Sequence, residues 1–130
     1  MSTSNRLRTP LKNARGLGSA KYGTHHFVVQ RISAVALLFL SIYVLGLLVS
    51  LVGADYATVR ATVAHPCHAV LLSAFVVTAF WHAQLGLQVV IEDYVRASGM
   101  AVVAQLLVRF ICALAVIAGL FAIVRIAAGA

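Results

Sequence analysis

The stretch that decides the fold is ISAVALLFLSIYVLGLLVSLV, which runs from Ile32 to Val52 without a charged side chain. A helix needs about 20 apolar residues to cross the roughly 30 Å hydrocarbon core of a bilayer, and this run is long enough. The segment Gly53–Asp55 ends it. The pattern therefore predicts a transmembrane helix.

Two further apolar runs follow the first. One extends from Cys67 to Ile91 after a short loop, and the other from Met100 to about Ala128 after a turn. The sequence thus predicts an all-α membrane protein whose three transmembrane helices run up-down-up. We expect spans at about residues 32–53, 67–91 and 100–128, within a membrane-anchor domain of residues 25–130 that follows a polar, basic tail of residues 1–24.

Composition excludes a water-soluble globular protein. Of the 130 residues, 62% are hydrophobic and 10% are charged, and the mean hydropathy is +1.00. A soluble domain usually carries about 25% charged residues, so this chain could not solvate a globular surface. The lipid bilayer is the environment that such a composition suits.

The basic residues indicate how the helices are oriented. Six of the ten Lys and Arg side chains lie at or before Arg31, in a region without acidic residues. Because cytoplasmic segments carry an excess of Lys and Arg, we expect the N-terminus in the cytoplasm. Nucleic acid is not an expected partner, since no aromatic or repeat pattern accompanies these charges. We expect a bacterial inner membrane rather than the mitochondrial inner membrane, although an Arg- and Ser-rich start also resembles a transit peptide.

His82 is the most informative residue for function, because it is the one titratable side chain near the middle of the second apolar run. Ionisable residues inside a membrane are rare unless they are paired or functional. One interpretation is a neutral imidazole that hydrogen-bonds a neighbouring helix. The other is an axial ligand to a haem iron, with Gly86, one turn later, leaving room for the porphyrin. A single histidine would require a second axial ligand from another subunit.

Polar residues near the ends of the spans suggest two further contacts. Arg31, where the basic tail meets the first span, is either an interface anchor or a cation for haem propionates, and His25 and His26 lie nearby. Asp93 and Tyr94 end the second span. They are either ordinary residues of the headgroup region or a carboxylate and a phenol that can hydrogen-bond a quinone.

Two stretches carry a family resemblance. GTHHFVVQR, residues 23–31, has a G-x-H-x-F-x-x-x-R pattern just before the first span, and HAQLGLQVVIEDY, residues 82–94, combines His, Gly and Asp-Tyr at the end of the second. Both resemble the hydrophobic membrane-anchor subunit of succinate dehydrogenase, a cytochrome b-type D subunit. The resemblance covers roughly residues 16–125.

The resemblance implies a haem b held between this chain and a second membrane-anchor cytochrome b subunit. It also implies a flavoprotein subunit and an iron–sulfur subunit docked on the cytoplasmic side. Electrons from succinate would then pass through iron–sulfur clusters to ubiquinone, in the respiratory chain and the tricarboxylic acid cycle. The chain alone would oxidise nothing, because it has no flavin, cluster or dicarboxylate motif.

The resemblance also implies roles for individual residues. His82 would be an axial ligand of the haem iron. Arg31, and His25 with it, would contact a haem propionate. Tyr94 would hydrogen-bond a quinone carbonyl, and Asp93 would support that site.

Three other functions suit the same residues. An anchor subunit of quinol–fumarate reductase would carry electrons in the opposite direction. A small transporter or channel subunit would line a polar path with His82 and Arg109. A structural membrane adaptor without haem would use these side chains only to join helices. A b-type band in a reduced-minus-oxidised spectrum would distinguish the haem-binding subunits from the transporter and the adaptor.

Overall fold

The structure, a computed structural model, describes residues 21–129 and contains four α-helices and no β-strand in that range. Three of the helices are long and apolar enough to cross a membrane. The all-α fold with three transmembrane helices that the sequence predicts is therefore confirmed. The helices are α1 (Lys21–Ser50), α2 (Tyr56–Ala64), α3 (Pro66–Tyr94) and α4 (Ser98–Ala127).

The helix bounds differ from those of the apolar runs that predicted them. The first helix begins at Lys21, well before the expected start near residue 32, and ends at Ser50. Hydropathy misses this early start because polar side chains such as Thr, His and Gln lower the hydropathy without preventing a helix. The rest of the predicted tail, residues 1–20, lies outside the described residues, as does Ala130. The division into tail and anchor domain stays a prediction.

A short helix, α2, lies where the sequence predicts only a loop. Gly53, at φ +80°, makes the turn that leads out of α1, in a conformation that favours glycine. Asp55 then caps α2, because its carboxylate accepts a hydrogen bond of 3.1 Å from the Thr58 N–H and satisfies a free donor at the helix start. Hydrogen bonds from the Thr58 side chain and backbone hold the pKa of Asp55 below its ordinary value. Pro66 begins α3 at a position where proline suits a helix.

The central helix is α3. It packs against both α1 and α4, whereas α1 and α4 do not approach each other anywhere in residues 21–129. Ser33 of α1 meets His82 of α3, and Tyr43, later in α1, meets His68, earlier in α3, so the two helices are antiparallel. The next helix, α4, returns along α3 after a turn at residues 95–97. The predicted up-down-up order is present, with α3 as the shared partner.

Little of the chain is buried. The buried side chains in the described part are Ser33, Leu85, Ile91 and Cys112. Large apolar side chains are exposed along all three long helices, to an extent that a soluble monomer does not show. In a bilayer this surface contacts lipid tails or other transmembrane helices, which are equally apolar.

Glycine permits one close helix approach. A Cβ atom added to Gly119 of α4 would lie 2.9 Å from Cγ1 of Val76 in α3. At Gly86 the nearest atom would be Gln30 Nε2 at 3.8 Å, an ordinary contact, and at Gly46 no atom lies within 4 Å. Of these three glycines, only Gly119 sets the distance between two helices.

Candidate functional site

His82 lies on the face of α3 that packs against α1. Its Nδ1 is 2.8 Å from Oγ of Ser33, a buried residue of α1. The Ser33 hydroxyl also meets the Gln30 carbonyl oxygen, at 3.0 Å. The hydrogen bond that the interhelical interpretation predicts is thus present. It uses only one ring nitrogen, and Nε2 makes no hydrogen bond to another residue of the described chain.

A cavity of about 420 Å³ opens beside His82. Two of its polar side-chain atoms, His26 Nε2 and Gln30 Oε1, are buried and have no hydrogen-bond partner within the described residues. Buried polar groups are nearly always paired, so these two atoms point to a polar group that the described residues do not supply. The cavity is lined by His26, Phe27, Gln30, Arg31, Ala34, His82 and Val89.

Arg31 reaches this cavity from the side of α1. Its guanidinium lies over the Phe27 ring, 5.1 Å from the ring centroid, which holds the cation in place. His26 is half-buried and lines the cavity, whereas His25, its neighbour, is exposed and does not. The structure therefore brings Arg31 and His82 together with His26. The predicted role of His25 has no supporting contact here and stays a prediction.

Asp93 and Tyr94 lie at the last turn of α3, on the same continuous helix as His82. The twelve-residue separation from His82 to Tyr94 corresponds to about 18 Å along the helix. Both side chains are exposed, Tyr94 to 81%. Neither makes a hydrogen bond to another described residue, so the phenol and the carboxylate face the surroundings of the chain.

One residue of this region is instead part of an amide network. Glu92 accepts hydrogen bonds from Gln88, at 2.8 Å, and from Gln105 of α4, at 3.4 Å. The network joins α3 to α4 at the Tyr94 end of the helices. Arg109, which the transporter interpretation pairs with His82, is exposed on α4 beside this network and does not line the His82 cavity.

Sequence reasoning missed two residues of the site, Ser33 and Gln30, and named His26 only as a neighbour of Arg31. Ser33 lies inside an apolar run, where a serine usually contributes only a local hydrogen bond. Gln30 and His26 lie in the predicted anchor domain but before the predicted first span, so the cavity they line follows from the early start of α1 at Lys21. The spacing from His26 to Gln30, four residues, is the signal that could have placed them on one helix face.

No three His, Cys, Asp or Glu side chains of the described range cluster as a metal site. His82 therefore belongs to no group of three such side chains in the described range. The Arg31 guanidinium and an N–H of His26 suit a group with carboxylates, whereas Gln30 Oε1 suits a hydrogen-bond donor.

Comparison with known proteins identifies the family. The family model described as succinate dehydrogenase/fumarate reductase transmembrane subunit matches residues 5–123. The chain belongs to this family. The resemblance drawn from residues 23–31 and 82–94 is therefore confirmed.

The relatives are membrane anchors of one enzyme. The succinate dehydrogenase hydrophobic membrane anchor subunit of Rickettsia bellii is 31% identical over 117 residues, which cover 90% of this chain and 94% of the relative. That of Paracoccus denitrificans is 34% identical over 89 residues, covering 68% of this chain and 69% of the relative. That of Rickettsia conorii is 27% identical over 113 residues, covering 86% and 90%. No solved structure matches the chain.

Membership in the succinate dehydrogenase anchor family agrees with the fold. The chain is a multi-pass membrane protein, and an anchor subunit associates with the membrane and with the other subunits of its complex. The exposed apolar faces of α1, α3 and α4 are the surfaces that lipid and those subunits can cover.

Proposed function

We propose that this chain is the D-type anchor subunit of a succinate:quinone oxidoreductase, in which His82 is one axial ligand of a haem b and the chain forms part of the ubiquinone site. The observation that carries the proposal is what the two ring nitrogens of His82 contact. One ring nitrogen is hydrogen-bonded to Ser33, the other makes no hydrogen bond in the described chain, and a cavity with unpaired polar atoms opens beside it.

The residues of the cavity fit a haem. An imidazole nitrogen in an apolar setting between helices is a usual axial ligand. The Arg31 guanidinium can bind a propionate carboxylate by charge-assisted hydrogen bonds, and His26 Nε2 can do so when it carries a proton. The haem supplies one-electron redox chemistry within the membrane. A second ligand of the iron would come from the partner cytochrome b anchor subunit, as the family resemblance implies.

The quinone site in this proposal lies at the last turn of α3, where Asp93 and Tyr94 are located. Tyr94 is exposed and its hydroxyl is not used within the described chain, so it can donate a hydrogen bond to a quinone carbonyl. Asp93, one residue before, can orient this group or assist in delivering a proton. The basic residues up to Arg31 favour the cytoplasmic side for the Tyr94 end, which is where an iron–sulfur subunit would bring electrons.

The relatives support one direction of electron flow and one set of partners. The curated relatives are anchors of succinate dehydrogenase and come from bacteria. We therefore favour succinate oxidation over fumarate reduction, together with flavoprotein and iron–sulfur subunits, in a bacterial inner membrane. The respiratory chain and the tricarboxylic acid cycle share this reaction.

Replacement of His82 by alanine tests the haem assignment. In the purified complex, His82→Ala should abolish or shift the b-type band in the reduced-minus-oxidised spectrum, because the iron loses a ligand. Succinate-dependent reduction of an artificial dye should persist, since that reaction needs only the flavoprotein and iron–sulfur subunits.

His68→Ala is the matched control. His68 also lies on α3 and also hydrogen-bonds a side chain of α1, that of Tyr43, but it lies toward the opposite end of the helix. This variant should keep the b-type band. An unchanged band in His82→Ala would remove His82 as a ligand, and a band lost equally in both variants would indicate a general loss of α1–α3 packing.

A further inference from the structure

Ser33 is the one buried polar residue of the described chain, at 8% exposure. It is not one of the motif residues that carry the family resemblance. Its hydroxyl oxygen has two neighbours, His82 Nδ1 at 2.8 Å and the Gln30 carbonyl oxygen at 3.0 Å. Because the residue is buried between α1 and α3, it has little access to a competing water molecule.

The protons at this contact can be counted. A serine hydroxyl has one proton to donate, and a neutral imidazole has one N–H and one lone pair. A carbonyl oxygen can only accept, so the 3.0 Å contact with Gln30 is a hydrogen bond only when the Ser33 proton points to that oxygen. The Ser33 oxygen is then an acceptor, and the bond from His82 requires the imidazole proton on Nδ1. The lone pair of His82 is left on Nε2.

We propose that Ser33 is a positioning residue for His82, which holds the imidazole in the tautomer and ring orientation that offer the Nε2 lone pair for iron ligation. The inference rests on the proposed haem ligation by His82. Histidines that bind metals usually donate their other N–H to an acceptor, which fixes the ring and raises its basicity as a ligand. Here the acceptor is a hydroxyl whose own proton is anchored to the α1 backbone, so the ring orientation is tied to that helix.

The opposite proton arrangement would have the opposite consequence. If the Ser33 hydroxyl donated to His82 Nδ1, the imidazole proton would lie on Nε2 and that nitrogen could not bind iron. The two arrangements therefore differ in what removal of the hydroxyl does. In the first, its loss weakens an existing iron ligand, and in the second, it removes an obstacle to ligation.

The test uses three variants of the assembled complex: Ser33→Ala, Ser33→Thr and Ser73→Ala. In Ser33→Ala we expect the haem midpoint potential to shift to a more positive value, because an imidazole without an acceptor for its N–H is a weaker donor to the oxidised iron. Haem loss in detergent should become about tenfold faster, at the lower end of the effect of removing such a partner. Ser33→Thr keeps the hydroxyl and should restore both values.

Ser73→Ala is the matched control, since the Ser73 hydroxyl also donates to a carbonyl of its own helix, that of Ala69 at 2.7 Å, without meeting His82. It should leave the potential and the haem retention unchanged. Parent values in Ser33→Ala would overturn the proposal. So would an equal shift in Ser73→Ala, or a Ser33→Thr variant that behaves like Ser33→Ala, because either result would indicate packing rather than the hydroxyl.

The outcome separates this inference from the function on which it rests. If His82→Ala loses the haem band and Ser33→Ala matches the parent, His82 is a ligand and only the role of Ser33 is rejected. If the band survives in His82→Ala, the haem assignment itself is rejected, and the role of Ser33 with it.

Discussion

The two interfaces of α3 are held together in different ways. Against α1, the contacts that join the helices are polar: His82 meets Ser33, and His68 meets Tyr43 through its hydroxyl. These pairs lie at two levels along the helices. Beside the His82 pair the interface opens into a cavity with buried atoms that have no partner in the described chain.

Against α4, the interface combines one close backbone approach with a cavity of about 350 Å³ that mostly apolar side chains of the two helices line. Gly119 lets α4 approach Val76 so closely that a Cβ atom would not fit without movement. Cys112 of α4 is buried, and the amides of Gln88 and Gln105 join the helices near the Tyr94 end through Glu92. No side-chain nitrogen or oxygen atom of this interface within the described residues is both buried and unpaired.

The difference shows that the tight glycine contact and the cavity with unpaired polar atoms lie on different faces of α3. In a bilayer, helices gain no hydrophobic driving force from meeting each other, so they associate through close packing of small residues or through hydrogen bonds. The contact of α3 with α4 relies mainly on close packing at a small residue, and the contact with α1 relies on hydrogen bonds. Hydrogen bonds between transmembrane helices contribute only about 0.6 kcal/mol each on average, so the α1 interface can remain partly open for a cofactor.

The largest expected effect of a substitution lies at the α4 interface. Gly119→Ala should lower the stability of the assembled complex by about 1–3 kcal/mol, the usual range for overpacking. Val76 cannot easily turn away, because a valine in a helix strongly prefers one rotamer. Thermal denaturation in mild detergent measures the change. Gly46→Ala, where no atom lies within 4 Å, is the control, and equal stability of the two variants would refute the close packing.

A second variant tests chemistry that lies outside both interfaces. Tyr94→Phe keeps the aromatic ring and removes the hydrogen-bond donor, so quinone reduction should fall at least several-fold while the haem band and dye reduction persist. Tyr56→Phe is the control, because Tyr56 is similarly exposed, at 79%. It is the first residue of α2, the short helix that leads into the opposite end of α3 from Tyr94. Quinone reduction and inhibitor sensitivity that match the parent in Tyr94→Phe, with Asp93→Asn equally silent, would move the quinone site to the partner subunits.

The smallest effect distinguishes two adjacent histidines at the α1 interface. His26→Ala should speed haem loss about two- to threefold, which corresponds to the lower end of the net contribution of one hydrogen bond, about 0.5–1.5 kcal/mol. His25→Ala should match the parent, since His25 is exposed and does not line the cavity. Haem retention in detergent measures both. The reverse ranking would assign the propionate contact to His25, as the family resemblance implies.

The three spans could be predicted from sequence because each is a long apolar run, and a bilayer imposes that pattern directly. The short helix α2 could not be, since YATVRATVA is too short and too polar for a hydropathy signal. Its N-cap could be recognised in the sequence, because Asp55 is a residue type that favours the N-cap position. Its carboxylate can accept a hydrogen bond from the backbone N–H three residues later, that of Thr58. The turn at Gly53 made a loop the simpler interpretation.

The site could be predicted only where one residue type carries the chemistry. His82 stands out because an ionisable side chain is unusual in the middle of a membrane span, and Arg31 stands out because it is the last cation before the first span. Ser33 does not, since its importance depends on which α1 residue faces His82, and that depends on how the helices meet. The choice between His25 and His26 likewise depends on helix rotation, because neighbouring residues point about 100° apart.

The lengths of the connections suggest an order of assembly. Residues 95–97 join α3 to α4, whereas residues 51–65 separate α1 from α3. The entropy lost on closing a loop grows with its length, so the shorter connection favours early pairing of α3 with α4. We therefore expect these two helices to form a hairpin first and α1 to dock later. The cavity beside His82 would then be among the last parts to close, leaving an entry route for a prosthetic group during biogenesis.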